Sequence, residues 1–189
     1  MSTRARVALG VFAAGAAVAA VATLMLSGDD GGSKARSTNG PESRRAVVEQ
    51  YEARLEPLAY DAGRVVVEGL QEALSRLSEG SDDDADVLPG LARHQEVLLR
   101  LRAEMDALAP PSELEASAGK RRASMDAYLA VAETLEQAAA AAGASREALL
   151  DRSAELGKQA DALWEQADDL LNRARHRLGL PTTTEPFSG

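Results

Sequence analysis

Apolar side chains recur every three or four residues through most of the chain between Pro41 and Leu180, which is the spacing of one face of an α-helix. Four segments carry this pattern, and glycine or proline punctuates their boundaries. The first begins near Pro41 and ends at Gly80. Pro57 lies inside it and removes a backbone donor, so we predict a kink or a break there.

The other three segments have sharper boundaries. The second runs from about 89 to 109 and has a regular apolar seam that includes His94. The third begins at Ser112, where the Ser-x-x-Glu spacing predicts a capping box, and the fourth begins after the candidate N-cap Ser145. Short connections make sequential helices antiparallel neighbours, so residues 41–180 are predicted to form an all-α, up-down-up-down bundle of about four helices.

Alanine occupies alternate seam positions in the third and fourth segments, which predicts that these two helices approach each other closely. The seam predicted for the fourth segment consists of Leu149, Leu156, Ala160, Leu163, Ala167, Leu170 and Ala174. Because alanine buries less apolar area than leucine, we expect a narrow bundle of modest stability.

An uncharged stretch, residues 7–26, has about the length that a helix needs to cross a bilayer, and a basic leader, residues 1–6, precedes it. We interpret it as an uncleaved signal anchor that makes the membrane a partner of the chain. The alternative is a cleaved export signal, since residues 20–22 fit a small-x-small cleavage site. Cleavage there would leave an apolar mature N-terminus, which favours the anchor.

The basic leader predicts a single-pass protein of the cytoplasmic membrane, with its N-terminus inside and its bundle extracytoplasmic. The alternative localisation is secretion after signal cleavage. Residues 27–40 are polar and lack apolar periodicity, which predicts a flexible linker. Residues 181–189 are predicted to be a disordered tail for the same reason.

Charge and composition exclude several classes of function. The formal net charge of −9 argues against a nucleic-acid partner and against a generic anionic-lipid surface, because phosphate binding needs clustered lysine and arginine on a net basic face. The absence of cysteine from the sequence excludes disulfides, thiolate metal sites and a lipid-modified N-terminal cysteine.

Two histidines are the obvious titratable candidates. His94 lies on the seam of the second segment, where an imidazole can bind metal or titrate near neutral pH, but we interpret it as a packing residue. His176 lies in the last turn of the fourth segment, and we interpret it as a partial cation near the negative end of the helix dipole.

Aspartates at three alternating positions, Asp82, Asp84 and Asp86, have the opening spacing of a calcium-binding loop. The rest of that motif fails, because Val87 stands at the glycine position and Arg93 at the bidentate acid position. We interpret the run as a solvated loop between helices, and no metal site is predicted.

The densest basic cluster is Lys120, Arg121 and Arg122, and Arg121 falls where the apolar seam would otherwise continue. A buried unpaired guanidinium is costly, so we predict either that Arg121 pairs with an acid from another helix or that the seam opens there. Trp164 is predicted to be either core edge or an exposed anchor. Together these four residues form a candidate partner or anion patch.

No catalytic motif is present in the sequence: it has no Gly-x-Ser-x-Gly elbow, no phosphate-cradling glycine loop and no His-Glu-x-x-His. We therefore predict no enzyme, no catalytic residue and no cofactor. The first hypothesis is a membrane-anchored structural or interaction module of the cell envelope, which binds an unidentified protein partner or self-associates. The alternative is a sensory or small-ligand-binding bundle that acts with a partner protein.

Overall fold

The computed structural model describes residues 40–80 and 86–182, and these residues form four helices with no β-strand among them. The prediction of an all-helical bundle is confirmed. No helix in the described part of the chain is long and apolar enough to cross a membrane. Four predicted parts lie wholly or largely outside the described residues: the leader 1–6, the membrane span 7–26, the linker 27–40 and the tail 181–189.

The first helix has three parts: α1 (Pro41–Val65), a π-helical segment (Val66–Gln71) and α2 (Glu72–Glu79). Pro41 suits the start, since a first-turn residue needs no backbone donor. The α-helix continues through Pro57 without a break, and the irregularity comes later, in the π-helical segment. A bend at Pro57 stays a prediction. Gly80 ends the helix with a left-handed φ of 67°.

The remaining helices are α3 (Leu88–Ala107), α4 (Glu115–Ala140) and α5 (Gly143–Arg177), with a short 3₁₀ turn (Ser112–Leu114) ahead of α4. Their bounds agree with the predicted segments to within a few residues.

Both predicted serine N-caps are wrong. Ser112 begins the 3₁₀ turn, and its hydroxyl donates to the carboxylate of Glu113 at 3.1 Å and not to the helix backbone. Helix α4 begins at Glu115 with no side-chain cap. Gly143 begins α5 with a φ of 57°, a value that favours glycine, so Ser145 lies inside the first turn.

Along two pairs of contacting helices, residue numbers rise on one helix as they fall on the other, so the helices in each pair are antiparallel. Between α3 and α4 the pairs are Arg102 with Asp126 and Asp106 with Arg122. Between the first helix and α5 they are Glu52 with Arg175 and the carbonyl of Leu77 with Arg146. The four helices are consistent with a helical bundle, and the full up-down-up-down order stays a prediction.

The seam of α5 lies one residue away from the predicted leucines. Its buried residues are Leu150, Ser153, Gly157, Ala160, Trp164, Ala167, Leu171 and Ala174. The alanine positions were therefore right, but Leu149, Leu156, Leu163 and Leu170 flank the seam at intermediate exposure. The physical reason is that α5 turns its small residues toward α4, which places the leucines at the sides of the contact.

Candidate functional site

Helices α4 and α5 are fastened by serine hydroxyls that reach the backbone of the opposite helix. Ser117 Oγ donates to the carbonyl oxygen of Ala167 at 2.8 Å, and Ser124 Oγ donates to that of Ala160 at 2.7 Å. A serine side chain is short, so these bonds require closely spaced backbones, which the buried alanines permit. The two serines are seven residues apart on α4, and the two carbonyl groups that they bind are seven residues apart on α5. Together the two bonds therefore fix the register of the two helices.

Arg121 lies between these two serines and is 6 % exposed. Its Cζ lies 4.9 Å from the centroid of the Trp164 ring, and its Nη2 lies 2.5 Å from Oδ1 of Asp168. The aromatic face and the carboxylate both favour the guanidinium charge inside the bundle. The expectation that Arg121 pairs with an acid from another helix is confirmed.

A second polar pair lies about two turns further along the same interface. The Tyr128 hydroxyl donates to Oδ1 of Asp161 at 2.5 Å. Burial raises the pKa of Asp161 above its usual range, although the bond from Tyr128 opposes this, and nearby Glu165 raises it further. Burial and the bond to Asp161 also raise the pKa of Tyr128. Asp161 therefore holds a proton more readily than an exposed aspartate.

On the outer side of α4, Arg122 belongs to a chain of charges shared with α3. Its Nε lies 2.6 Å from Oδ1 of Asp106, and Arg102 lies 3.6 Å from the same carboxylate. The hydrogen bond to Asp106 raises the pKa of Arg122, so this side chain stays fully charged. Arg102 also binds Asp126 at 2.6 Å, and the network holds α3 against α4.

The structure therefore divides the candidate patch predicted from the sequence. Arg121 and Trp164 come together but are buried, and each is 6 % exposed. Arg122 is held at the surface by Asp106, while Lys120 is partly exposed. A partner surface at these four residues stays a prediction, and the geometry limits its accessible part to Lys120 and Arg122.

The π-helical segment creates a second candidate site, around His94. A Cβ atom added at Gly69 would lie 2.5 Å from His94 Nδ1, so the imidazole packs directly on the glycine. This nitrogen is buried and has no hydrogen-bond partner among the described residues. A cavity of about 100 Å³ adjoins it, lined in part by Glu68, Glu72 and Arg76. Short π-helical segments often accompany functional sites.

Sequence reasoning missed this site, because it placed His94 on a seam without seeing its neighbour. A glycine inside a helix costs about 1 kcal/mol relative to alanine, so Gly69 was a signal of close backbone approach. Within residues 40–80 and 86–182, no group of three or more acids and histidines could hold a metal ion. Asp86 is the one member of the alternating aspartates that lies in the described part of the chain, and it lines the cavity beside His94. Asp82 and Asp84 lie outside the described residues.

A larger cleft, of about 580 Å³, lies at the end of the bundle where α1 begins and α5 ends. Three arginines line it, Arg44 and Arg45 from α1 and Arg177 from α5, together with Glu113. Arg45 Nε donates to the carbonyl oxygen of Leu178 and so joins the two helix ends. We call this feature the arginine cleft. Sequence reasoning missed it, because its residues come from three separate segments of the chain.

Comparison of this chain with protein-family models, curated proteins and solved structures finds no match. We therefore infer function from the geometry of the bundle. Inside the bundle, the polar pairs join α4 to α5 and fix their register, whereas the arginine cleft and the outer faces of the helices are open to solvent.

Proposed function

We propose that the protein is a membrane-tethered helical bundle of the cell envelope that acts by binding another protein. The sequence supports the tether, because the apolar stretch 7–26 and the polar residues 27–40 lead directly into α1 at Pro41. The buried polar pairs described above stabilise the fold, which leaves binding to the outer surface.

The observation that carries this proposal is the uneven distribution of exposed apolar side chains over the bundle. The exposed large apolar residues are Val47, Tyr60, Val67, Leu88 and Leu99. Single exposed apolar residues are ordinary on protein surfaces, so their distribution is what matters. All five lie on the first helix or α3, and none in the described part of α4 or α5. We infer that α4 and α5 support the fold and that the surface formed by the first helix and α3, which we call the apolar half, binds the partner.

The tether is tested by fractionating cells that express the full chain with a C-terminal tag and then adding protease to intact spheroplasts. A full-length, membrane-bound product that the protease digests is the expected result. A shortened soluble product would support secretion after cleavage, and a membrane-bound but protected product would place the bundle in the cytoplasm.

The binding half is tested by photo-crosslinking in cells. A photoreactive amino acid is introduced into the full chain at Tyr60 or Leu99, and at the exposed position Ala162 of α5 as the matched control. A discrete adduct from the first two positions and none from Ala162 is expected. Equal adducts from all three positions, or none from any, would contradict the proposal.

A sensory or ligand-binding function is the second candidate, and the unpartnered Nδ1 of His94 favours it. The adjoining cavity holds about 100 Å³, and the one beside Arg121 about 20 Å³. Small-molecule pockets usually measure roughly 300 Å³ or more, a volume that the arginine cleft at the end of the bundle exceeds but that these two cavities do not reach. A thermal-shift screen of the full chain is the test: a ligand whose stabilising effect is lost on the change His94→Ala would make this candidate the better one.

A further inference from the structure

The arginine cleft carries more positive charge than the fold requires. Arg45 has a structural role, because its Nε donates to the carbonyl oxygen of Leu178. Arg177 lies in the last turn of α5, where a cation favours the helix dipole. Arg44 has neither role: it lies near the start of α1, close to the positive end of that helix dipole, where a cation is not favoured.

Two of the three guanidinium groups are available to an anion. The side chains of Arg44 and Arg177 are exposed, and neither forms an ion pair with another residue in the described part of the chain. Guanidinium groups bind phosphate through two parallel hydrogen bonds, which makes arginine well suited to it. One carboxylate, from Glu113, lines the same cleft, so the balance of charge there stays positive.

Acidic side chains outnumber basic ones at the opposite end of the bundle, where Arg146 also lies. The exposed acids Glu79, Asp86, Glu147 and Asp151 lie where α2 ends and where α3 and α5 begin. The connection between Gly80 and Asp86 adds three more aspartates in the sequence. An anionic surface would therefore attract the end with the arginine cleft and repel the far end.

The cleft also lies at the end of the bundle that the tether holds. Residues 27–40 separate the predicted membrane span from α1, and 14 residues extend to about 50 Å at most. A tether of this length keeps the cleft at a high effective concentration near the membrane surface, so weak contacts suffice for docking.

We propose that Arg44, Arg45 and Arg177 dock on the phosphate headgroups of anionic phospholipids in the membrane that holds the anchor. This inference rests on the membrane tether of the proposed function. Docking would seat the bundle upright, with its acidic end away from the lipid and the apolar half containing Tyr60 and Leu99 facing sideways to a partner.

The test uses the full chain reconstituted into vesicles of phosphatidylcholine, with or without phosphatidylglycerol. The chain has no cysteine, so the exposed Ala46 can be replaced by a single cysteine and labelled with a donor fluorophore. Energy transfer to an acceptor-labelled lipid then reports how close the linker end of the bundle lies to the membrane. The charge-removing variant is Arg44→Gln with Arg177→Gln, and the matched control is Arg93→Gln with Arg152→Gln at exposed positions nearer the far end.

Phosphatidylglycerol is expected to raise energy transfer in the wild-type chain and in the control, and added salt is expected to lower it. Each basic residue near an anionic surface contributes roughly a fivefold effect, so the R44Q/R177Q variant should lose about 25-fold in the docking equilibrium.

Equal transfer in both kinds of vesicle, from a chain that still floats with them, would overturn the docking proposal and leave the tether intact. A chain that does not float with the vesicles would instead contradict the tether. Transfer that rises with protein density and not with phosphatidylglycerol would assign the cleft to the acidic end of a second copy, and would also overturn lipid docking.

Discussion

The guanidinium of Arg121 lies against the ring of Trp164, with 4.9 Å between Cζ and the ring centroid, and the same group binds Asp168. Arg121 and Trp164 lie between the two serine bonds that join α4 to α5, and Asp168 lies next to one of them. A charge at this place in the interface is stable because an aromatic face and a carboxylate replace the water that it loses.

Removing the cation should therefore destabilise the fold. Arg121→Leu leaves Asp168 partly buried without its partner, and we expect the free energy of unfolding to fall by about 3 kcal/mol. Urea unfolding of the full chain in mild detergent measures this, with far-UV circular dichroism as the signal. The double variant Arg121→Leu, Asp168→Leu should recover much of the loss, because it removes both charges.

The matched control for this change is Arg100→Leu. Arg100 pairs with Glu104 on the same helix, and both side chains are largely exposed, so the loss should stay below about 1 kcal/mol. If both arginine variants lost the same small amount, the buried pair would not stabilise the bundle as we infer.

The close packing of α4 on α5 leads to a second prediction. Ala160 is fully buried where Ser124 reaches its carbonyl oxygen, so the larger side chain of Ala160→Leu must push the helices apart. We expect a loss of about 3 kcal/mol or more in the free energy of unfolding. Ala162→Leu, two residues away on the exposed side of α5, should change it by less than about 0.5 kcal/mol. Similar losses in both variants would contradict the close contact.

The contrast between Ala160 and its leucine neighbours shows how far the sequence could predict this fold. Spacing identified the four helices and the alanine positions of the α5 seam, because periodicity and composition are properties of one segment. It did not show that Leu163 flanks the seam while Trp164 lies in it. Leu163 and Trp164 are adjacent and apolar, so either of them satisfies the helical spacing of the seam. Which one is buried depends on how the backbones of α4 and α5 approach each other.

The candidate sites were harder to predict for a related reason. Arg121 was a strong signal, because a cation on an apolar seam must find an acid. Gly69 against His94, and Arg44 beside Arg177, bring together residues from different helices. Periodicity within one helix carries no information on such pairs, so they appear only when the helices are placed in three dimensions.

The contact between Gly69 and His94 leads to a third prediction. In Gly69→Ala the new Cβ atom would lie 2.5 Å from His94 Nδ1, so the imidazole must leave its place. We expect a loss of about 1–3 kcal/mol in the free energy of unfolding, even though alanine favours helix over glycine. The double variant Gly69→Ala, His94→Ala should show strong coupling, since the second change removes the clash.

Gly90 provides the control, because it lines the same cavity and a Cβ atom there would meet nothing within 4 Å. Gly90→Ala should stabilise the protein by about 0.5–1 kcal/mol through its helix preference. Stabilisation by Gly69→Ala as well would show that His94 moves freely and that the site is not tightly packed.

The raised pKa of Asp161 predicts how stability depends on pH. A carboxyl group that binds its proton more tightly in the folded state stabilises the fold fully below its ordinary pKa of 3.8, and this contribution is lost as the pH rises through the raised pKa. Acidification from neutral pH toward the ordinary pKa should therefore increase the contribution of Asp161 to the free energy of unfolding. In Asp161→Asn this increase should be smaller, because the amide does not titrate but still accepts the bond from Tyr128. Asp151→Asn removes the same charge from an exposed position on α5, so its pH dependence should match the wild type, and a wild-type slope in Asp161→Asn would contradict the assignment.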